Sequence, residues 1–242
     1  MKAMIFAAGL GTRLKPLTDS MPKALVPVNG RPLLGHVMDK LKAAGADELV
    51  VNVHHFPDMI IDYVSDHGPG IPVHISDERE FLRETGGGIK YARPLLEGSG
   101  SFLVHNVDIL SSLDIAWFMD NVRPDALATL VVSERSTSRY LLFNDDLRMV
   151  GWTNVKTGEV KSPYPDLDVE KCHKLAFSGI HCISDEIFEV FDKKKVSDRF
   201  SITDFYISVC AEYPIYAIVP EDFRMIDVGK LDTLAQAEEF LR

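Results

Sequence analysis

Two glycines and two cations stand near the start of the chain in an order suited to holding phosphate. Ala7-Ala8-Gly9-Leu10-Gly11-Thr12-Arg13 follows an apolar stretch, and Lys23 lies ten residues beyond Arg13. Small residues let the main chain bend tightly and turn the N–H groups of Ala7, Ala8, Gly9, Gly11 and Thr12 toward phosphate oxygens. Arginine grips phosphate through two parallel donors, whereas lysine brings a movable point charge. Arg13 and Lys23 together suit a triphosphate. A dinucleotide fingerprint would require glycine or alanine at position 14, which is Leu14, and an acid ending the second strand, where Asn52 and His54 stand. No Gly-Lys-Ser/Thr occurs, because Gly229-Lys230 is followed by Leu231. Taken alone, the loop is equally a surface turn with incidental charges.

Carboxylates supply the complementary half. Asp108 follows the apolar Phe102-Leu103-Val104 closely, and Asp227 follows Met225-Ile226. Each by itself reads as a strand-end or helix-capping residue. Brought to one sheet edge, the two would suit a hard Mg²⁺ that keeps several waters and phosphate oxygens. Glu84-Thr85-Gly86-Gly87-Gly88 predicts a turn into a helix N-terminus, whose free N–H groups and slim backbone admit a flat base or sugar. Asn52 and Asn106 stand at strand ends, and of the adjacent His54 and His55 at most one can face a ligand. No histidine has a partner at the His-x-x-x-His spacing and no cysteine cluster supplements them, which argues against zinc.

The chain has 242 residues, 36 acidic and 26 basic, and a formal net charge of −10. That balance disfavours a general nucleic-acid binder, which needs a basic surface. The average hides an asymmetry: residues 1–42 carry seven basic and two acidic side chains, a local +5, and the other 200 residues carry −15. Cations gathered in one segment of an acidic protein fit a small, highly charged anion. Cys172, Cys182 and Cys210 are odd in number and lack a Cys-x-x-Cys spacing, as expected of reduced packing thiols in a cytosol. No run approaches the ~18 apolar residues of a membrane span, and the first residues lack a signal h-region. The expectation is a cytoplasmic protein without membrane or nucleic-acid partners, a monomer or small homo-oligomer.

These residues must be positioned by elements that the hydrophobic pattern outlines. Strands are predicted over 2–8, 48–53, 73–76, 101–107, 126–133, 175–183 and 215–219, and helices over 33–44, 57–65, 87–92, 114–121, 185–191, 203–210 and 231–241. Alternation of strand and helix over the first 130 residues implies an α/β fold with a mostly parallel sheet flanked by helices. Ligands of such sheets gather at the carboxyl ends of the strands. Residues 139–178, with short strand-like pieces and Ser162-Pro163-Tyr164-Pro165, predict an inserted hairpin and loop covering one end of the sheet. The chain then reads as one domain over 1–242, with a nucleotide-binding half (1–133) and a sugar-phosphate half (134–242).

Extended further, the motifs resemble the signature of the sugar-1-phosphate nucleotidyltransferases. The matching residues are Gly9-Leu10-Gly11-Thr12-Arg13-Leu14-Lys15-Pro16-Leu17-Thr18, Pro22-Lys23-Ala24-Leu25-Val26-Pro27-Val28 and Arg31-Pro32-Leu33-Leu34. Glu84 to Ile89, Asn106-Val107-Asp108, Phe177-Ser178-Gly179-Ile180 and Asp227-Val228-Gly229 follow in the family's order. The resemblance implies a Rossmann-like, GT-A-like mixed sheet and an enzyme that joins a nucleoside triphosphate to a sugar 1-phosphate, releasing pyrophosphate with Mg²⁺. It implies Arg13, Lys23 and Asp108 as catalytic residues, and Asp108 and Asp227 as metal ligands. Residues 7–9 and 11–13, with Lys23, Asn52, Glu84, Thr85, Gly86, Asn106 and Asp108, would hold the nucleotide. Gly87, Asn106, Lys174, Ser178, Gly179 and Asp227 would hold the sugar phosphate.

Physics gives such parts their purpose. A dianionic phosphate approaching an anionic α-phosphorus to ~3.5 Å meets a repulsion of about 9 kcal/mol at an effective dielectric of ~20, and placed cations offset it. The chain departs from the glucose-1-phosphate enzymes in lacking Glu-Lys-Pro before Phe177, where Lys171-Cys172-His173-Lys174 stands instead, with Lys174 a substitute. Lys230 and Val107 are further departures. Within the family it is most similar to the N-acetylmuramic acid 1-phosphate uridylyltransferases of cell-wall recycling, with mannose- and heptose-1-phosphate guanylyltransferases next. Two other classes remain open at this stage: a non-catalytic nucleotide-sugar-binding module, and a glycosyltransferase of related fold.

Overall fold

The computed structural model describes residues 1–241. In chain order the strands are β1 (Lys2–Phe6), β2 (Pro27–Val28), β3 (Arg31–Pro32), β4 (Glu48–Val53), β5 (Val73–Asp77), β6 (Ser101–Asn106), β7 (Ile109–Ser111), β8 (Ala128–Ser133), β9 (Arg139–Phe143), β10 (Met149–Asn154), β11 (Glu159–Lys161), β12 (His173–Ser184), β13 (Ile215–Ile218) and β14 (Met225–Asp227). The helices are α1 (Leu33–Ala43), α2 (Pro57–His67), α3 (Glu84–Tyr91), α4 (Arg93–Leu96), α5 (Ile115–Asp120), α6 (Ile187–Lys194), α7 (Ile202–Val209) and α8 (Leu231–Phe240). Among the described residues no helix is long and apolar enough to cross a membrane.

Apolar runs without alternation belong to strands covered on both faces, and β1 shows why. Ala3 and Ile5 point into one core with α1, α2, α5 and α8, while Met4 points into another with α3, α4, α6 and α7. The sheet order β11-β10-β9-β12-β6-β1-β4-β5 places β1 in the middle, parallel to β4 and β6, with β5 parallel to β4. β12 runs antiparallel to both β6 and β8, so β8 and its parallel neighbour β13 share the direction of β1. The carboxyl ends of β1, β4, β5, β6 and β8 therefore open on one edge, as the α/β reading requires.

The insertion differs from the expected cover. β9, β10 and β11 continue the main sheet, because β12 is a 12-residue strand that pairs with β9 through His173–Leu175 and with β6 through Ile180–Ser184. Its pairing with β8 shifts register between Phe177 and His181, where Gly179 takes φ +76°. Such a bulge bends the strand and swings its first half away from the central sheet.

The glycine-rich segment differs as well. Glu84, Thr85, Gly86 and Gly87 form the first turn of α3 and not a turn preceding it. Glycine is tolerated there because a Cβ at Gly86 would strike the Phe200 ring, and one at Gly87 would strike the Asp198 carbonyl.

Two histidines are sealed inside the sheet. His105 Nδ1 lies 2.8 Å from the Asn106 carbonyl, and His181 Nδ1 lies 2.9 Å from the Tyr206 hydroxyl. Burial lowers their pKa values to about 4 and about 3. The unfolded chain protonates histidine below pH ~6.5, whereas the native chain keeps these rings neutral, so stability is lost as pH falls from there and is unaffected above it. In His181→Gln, urea unfolding between about pH 6 and 4.5 should show a stability slope shallower by ~1.4 kcal/mol per pH unit than in the wild type. An unchanged slope would remove His181 from this account.

Candidate active site

At the common carboxyl edge, β1 leads into Ala7 and the turn over residues 9–14. Gly11 adopts φ +63°, and a Cβ there would lie 2.8 Å from Thr18 Cγ2 and 3.0 Å from Lys23 Cβ. The close approach lets Thr18 Oγ1 donate to the Gly11 carbonyl at 2.8 Å and packs the Lys23 stem against the turn. Lys23 opens a 3₁₀ turn over Lys23–Leu25 and is 9% exposed. Its ammonium forms an ion pair with Asp108.

A short ribbon that periodicity did not reveal brings the two aspartates together. β7 and β14 pair antiparallel with Ile109 opposite Asp227, and the Val228 N–H donates to the Asp108 carbonyl at 2.8 Å. Three-residue strands are too short to print a pattern in sequence. Gly229 completes the junction: a Cβ there would sit 2.7 Å from both Arg13 Nη2 and Asp227 Oδ1. Partial desolvation by the surrounding walls and the facing Asp108 carboxylate raise the Asp227 pKa, while Lys23, Arg13 and Arg135 oppose that rise. The four residues Arg13, Lys23, Asp108 and Asp227 thus share one charged corner.

The adjoining cleft holds about 430 Å³ and is lined by Phe6, Ala7, Ala8, Gly9, Lys23 and Asn52. Leu82, Glu84, Thr85, Asn106, Val107, Asp108 and Ser201 complete the wall. Glu84 takes φ +61° as it enters α3, a left-handed conformation that costs a non-glycine residue energy and concentrates at functional positions. Its carboxylate accepts from Arg199 Nε at 3.0 Å. Thr85 Oγ1 accepts from the Ile202 N–H at 2.9 Å and ties α3 to α7.

Several anticipated ligand groups are committed to the protein itself. The N–H groups of Ala7 and Ala8 donate to Asn52 Oδ1 at 2.8 and 3.3 Å. Asn52 Nδ2 then donates to Glu78 Oε1 at 2.8 Å, and Glu78 Oε2 accepts from the Arg83 N–H at 3.3 Å. Asn52 therefore lines the cleft while its amide spans the turn after β1 and the approach to α3. Glu78 is 2% exposed, and its pKa is raised by burial. Nothing in the sequence singled it out, since an acid just past a strand is ordinary. His54 Nδ1 lies 2.8 Å from the Glu78 carbonyl, and His55 Nε2 lies 3.3 Å from the Thr18 carbonyl.

Other expected positions fall away from the cleft. The Gly86 and Gly87 N–H groups both donate to the Phe200 carbonyl, at 2.9 and 3.2 Å, and are not free for a ligand. Ser178 is buried and donates to the Val131 carbonyl at 2.7 Å. Gly179 packs on Asn106, where a Cβ would meet Nδ2 at 2.6 Å, so it shapes the wall without lining it. Lys174 stands on the half of β12 that pairs with β9, in an ion pair with Glu170 at 2.8 Å, and lines no part of the cleft. Thr12 is exposed on the 3₁₀ turn that carries Arg13.

A glycine-turn cleft at the carboxyl edge of this sheet, with two cations facing two carboxylates, defines a nucleotide-handling α/β protein of the nucleotidyltransferase class. The model of the family "Nucleotidyl transferase" matches residues 2–242, and the chain belongs to that family. It is 34% identical to an N-acetylmuramate alpha-1-phosphate uridylyltransferase of Caulobacter vibrioides, over 92% of this chain and 90% of the relative. Identity to a D-glycero-alpha-D-manno-heptose 1-phosphate guanylyltransferase of Campylobacter jejuni is 28%, covering 95% of both chains. The crystal structure of HddC from Yersinia pseudotuberculosis complexed with GMP-PN shares the fold, with a TM-score of 0.77 and 24% identity over 100% of this chain and 99% of that one.

Removing Asn52 tests whether the cleft depends on its central amide. Asn52→Leu leaves the Ala7 and Ala8 donors and the Glu78 carboxylate without their partner, each at a cost of about 1–3 kcal/mol. Urea denaturation should show a loss of at least ~2 kcal/mol; a variant as stable as the wild type would show that these bonds are dispensable.

Proposed function

We propose that this sugar-1-phosphate nucleotidyltransferase joins UTP to N-acetylmuramic acid 1-phosphate and releases pyrophosphate, in the cytoplasm and in the service of cell-wall recycling. The observation that carries the reading is the convergence of Arg13, Lys23, Asp108 and Asp227 at one corner of a cleft floored by the turn after β1. The relative with 34% identity over most of both chains supports the choice of substrates.

In this reading an oxygen of the sugar phosphate attacks the α-phosphorus directly. A new phosphorus–oxygen bond forms, the bond to the bridging oxygen of the β-phosphate breaks, and its electron pair leaves with pyrophosphate. No serine or cysteine nucleophile is required. Arg13 faces the phosphates from the exposed turn, and Lys23, held against Gly11, exchanges Asp108 for a phosphate oxygen when the nucleotide enters. Preplaced cations act most strongly where negative charge gathers in the transition state.

Asp108 and Asp227 fit a magnesium ion. They are hard oxygen donors, and burial together with the neighbouring Asp108 carboxylate raises the pKa of Asp227. Among the described residues no third acid, histidine or cysteine joins them, so phosphate oxygens and water would complete the shell. When bound, such an ion supplies positive charge to the phosphate oxygens.

Guanylyl transfer to a heptose or mannose 1-phosphate is the second reading, favoured by the heptose 1-phosphate guanylyltransferase relative that covers 95% of the chain. Pyrophosphate release from four nucleoside triphosphates against a panel of sugar 1-phosphates separates the two. It also separates both from a binding module or a glycosyltransferase, which release none. Asp108→Asn and Lys23→Ala are each expected to lower turnover at least ~100-fold; rates near the wild type in both would defeat the assigned roles.

A further inference from the structure

A second cavity of about 550 Å³ meets the nucleotide cleft at Ser201. One wall is the face of β9, β10 and β11, where register sets side chains in two cross-strand rows: Arg139, Asn154 and Glu159, then Leu141, Trp152 and Lys161. The first turn of α7 closes the opposite side with Thr203 and Asp204. We propose that this cavity receives the sugar moiety and that Arg139 determines specificity by binding a carboxylate carried on the sugar. The inference rests on the sugar-1-phosphate reading above and deepens it.

Three cations line the cavity, and their partners differ. Lys161 is neutralised by Asp204 at 3.3 Å and Glu159 at 3.9 Å, and its ammonium lies 5.2 Å from the centroid of Trp152. Arg135 follows β8, donates from Nη2 to the Phe177 carbonyl at 3.1 Å, and is close enough to Asp227 to stabilise its charged form. It therefore stands at the junction of the two cavities, where the 1-phosphate must lie. The Arg139 guanidinium has no carboxylate and no hydrogen-bond partner among the described residues.

Four residues span at most ~14 Å of extended chain, so Arg135 and Arg139 can address opposite ends of one substituted hexose. Leu141 and Trp152 line the same cavity in the next cross-strand row and offer an apolar surface to the sugar ring. A neutral sugar leaves Arg139 merely hydrated. A carboxylate instead receives two parallel donors from a guanidinium that is not otherwise engaged. The lactyl ether acid of N-acetylmuramic acid is such a group.

The test compares kcat/KM with UTP for N-acetylmuramic acid 1-phosphate and for its methyl ester, which keeps the bulk and removes the charge. The wild type should prefer the acid. Arg139→Ala should reduce that preference at least tenfold, chiefly through KM, and Arg139→Lys should restore part of it. Equal losses on acid and ester, or an unchanged preference, overturn the inference, and unchanged thermal midpoints show that the exposed substitution leaves the fold intact. If the wild type turns over neither compound, the substrate reading has failed. The inference is then decided with a hexuronic acid 1-phosphate against the parent hexose 1-phosphate, using a nucleotide the enzyme accepts. There Arg139→Ala must again lower the preference for the acid, and a retained preference overturns the proposal.

Discussion

The architecture of the site is governed by like charges forced close together. Asp108 and Asp227 are fixed side by side by the β7–β14 ribbon, whose backbone bonds do not depend on the charge of either side chain. Two carboxylates so placed are tolerable only among cations, and Lys23 and Arg13 are brought to the same corner from the segment after β1. Burial and the facing carboxylate together disfavour a second negative charge at that corner in the free protein. Charge is concentrated by backbone geometry, not by long flexible side chains reaching for one another.

That geometry depends on rigid supports behind the cleft. Asn52 joins the turn after β1 to Glu78, and Glu78 joins the approach to α3, so two walls share a single buried polar connection. Gly86 and Gly87 serve a related purpose from within α3. Without side chains, they let the segment over 198–200 pack directly on the helix, and its carbonyl takes up their N–H groups. A glycine run that resembles a ligand cradle in sequence is here a packing surface, and the strained Glu84 and the Thr85 hydroxyl are what face the cleft and α7.

The β12 bulge divides the molecule's labour. One half of the strand pairs antiparallel with the core strands β6 and β8 beside the charged corner, and the other half carries β9, β10 and β11 outward as the wall of a second cavity. Both cavities touch Ser201, the N-cap of α7, so one helix end borders them both. On the proposed function the transfer chemistry belongs to the core edge, and on the further inference discrimination between sugars belongs to the appended strands, where residues can change without disturbing the ribbon that holds the aspartates.

Much of this was legible from local pattern alone. The central strands and most helices could be read from apolar runs and stop signals, whereas Arg13, Lys23, Asp108 and Asp227, each ordinary by itself, gained their meaning from occurring together in motifs that resemble a known family. What local pattern could not express was contact between distant short segments. The β7–β14 ribbon, the Asn52–Glu78 connection, the place of β9 to β11 in the main sheet and the displacement of Lys174 from the cleft all follow from pairings across tens or hundreds of residues. A hydrophobic period reports which face of one element is buried, because that depends on neighbours a few residues away. Which polar group on that element meets which partner depends on how whole elements stack, and only the folded chain decides that.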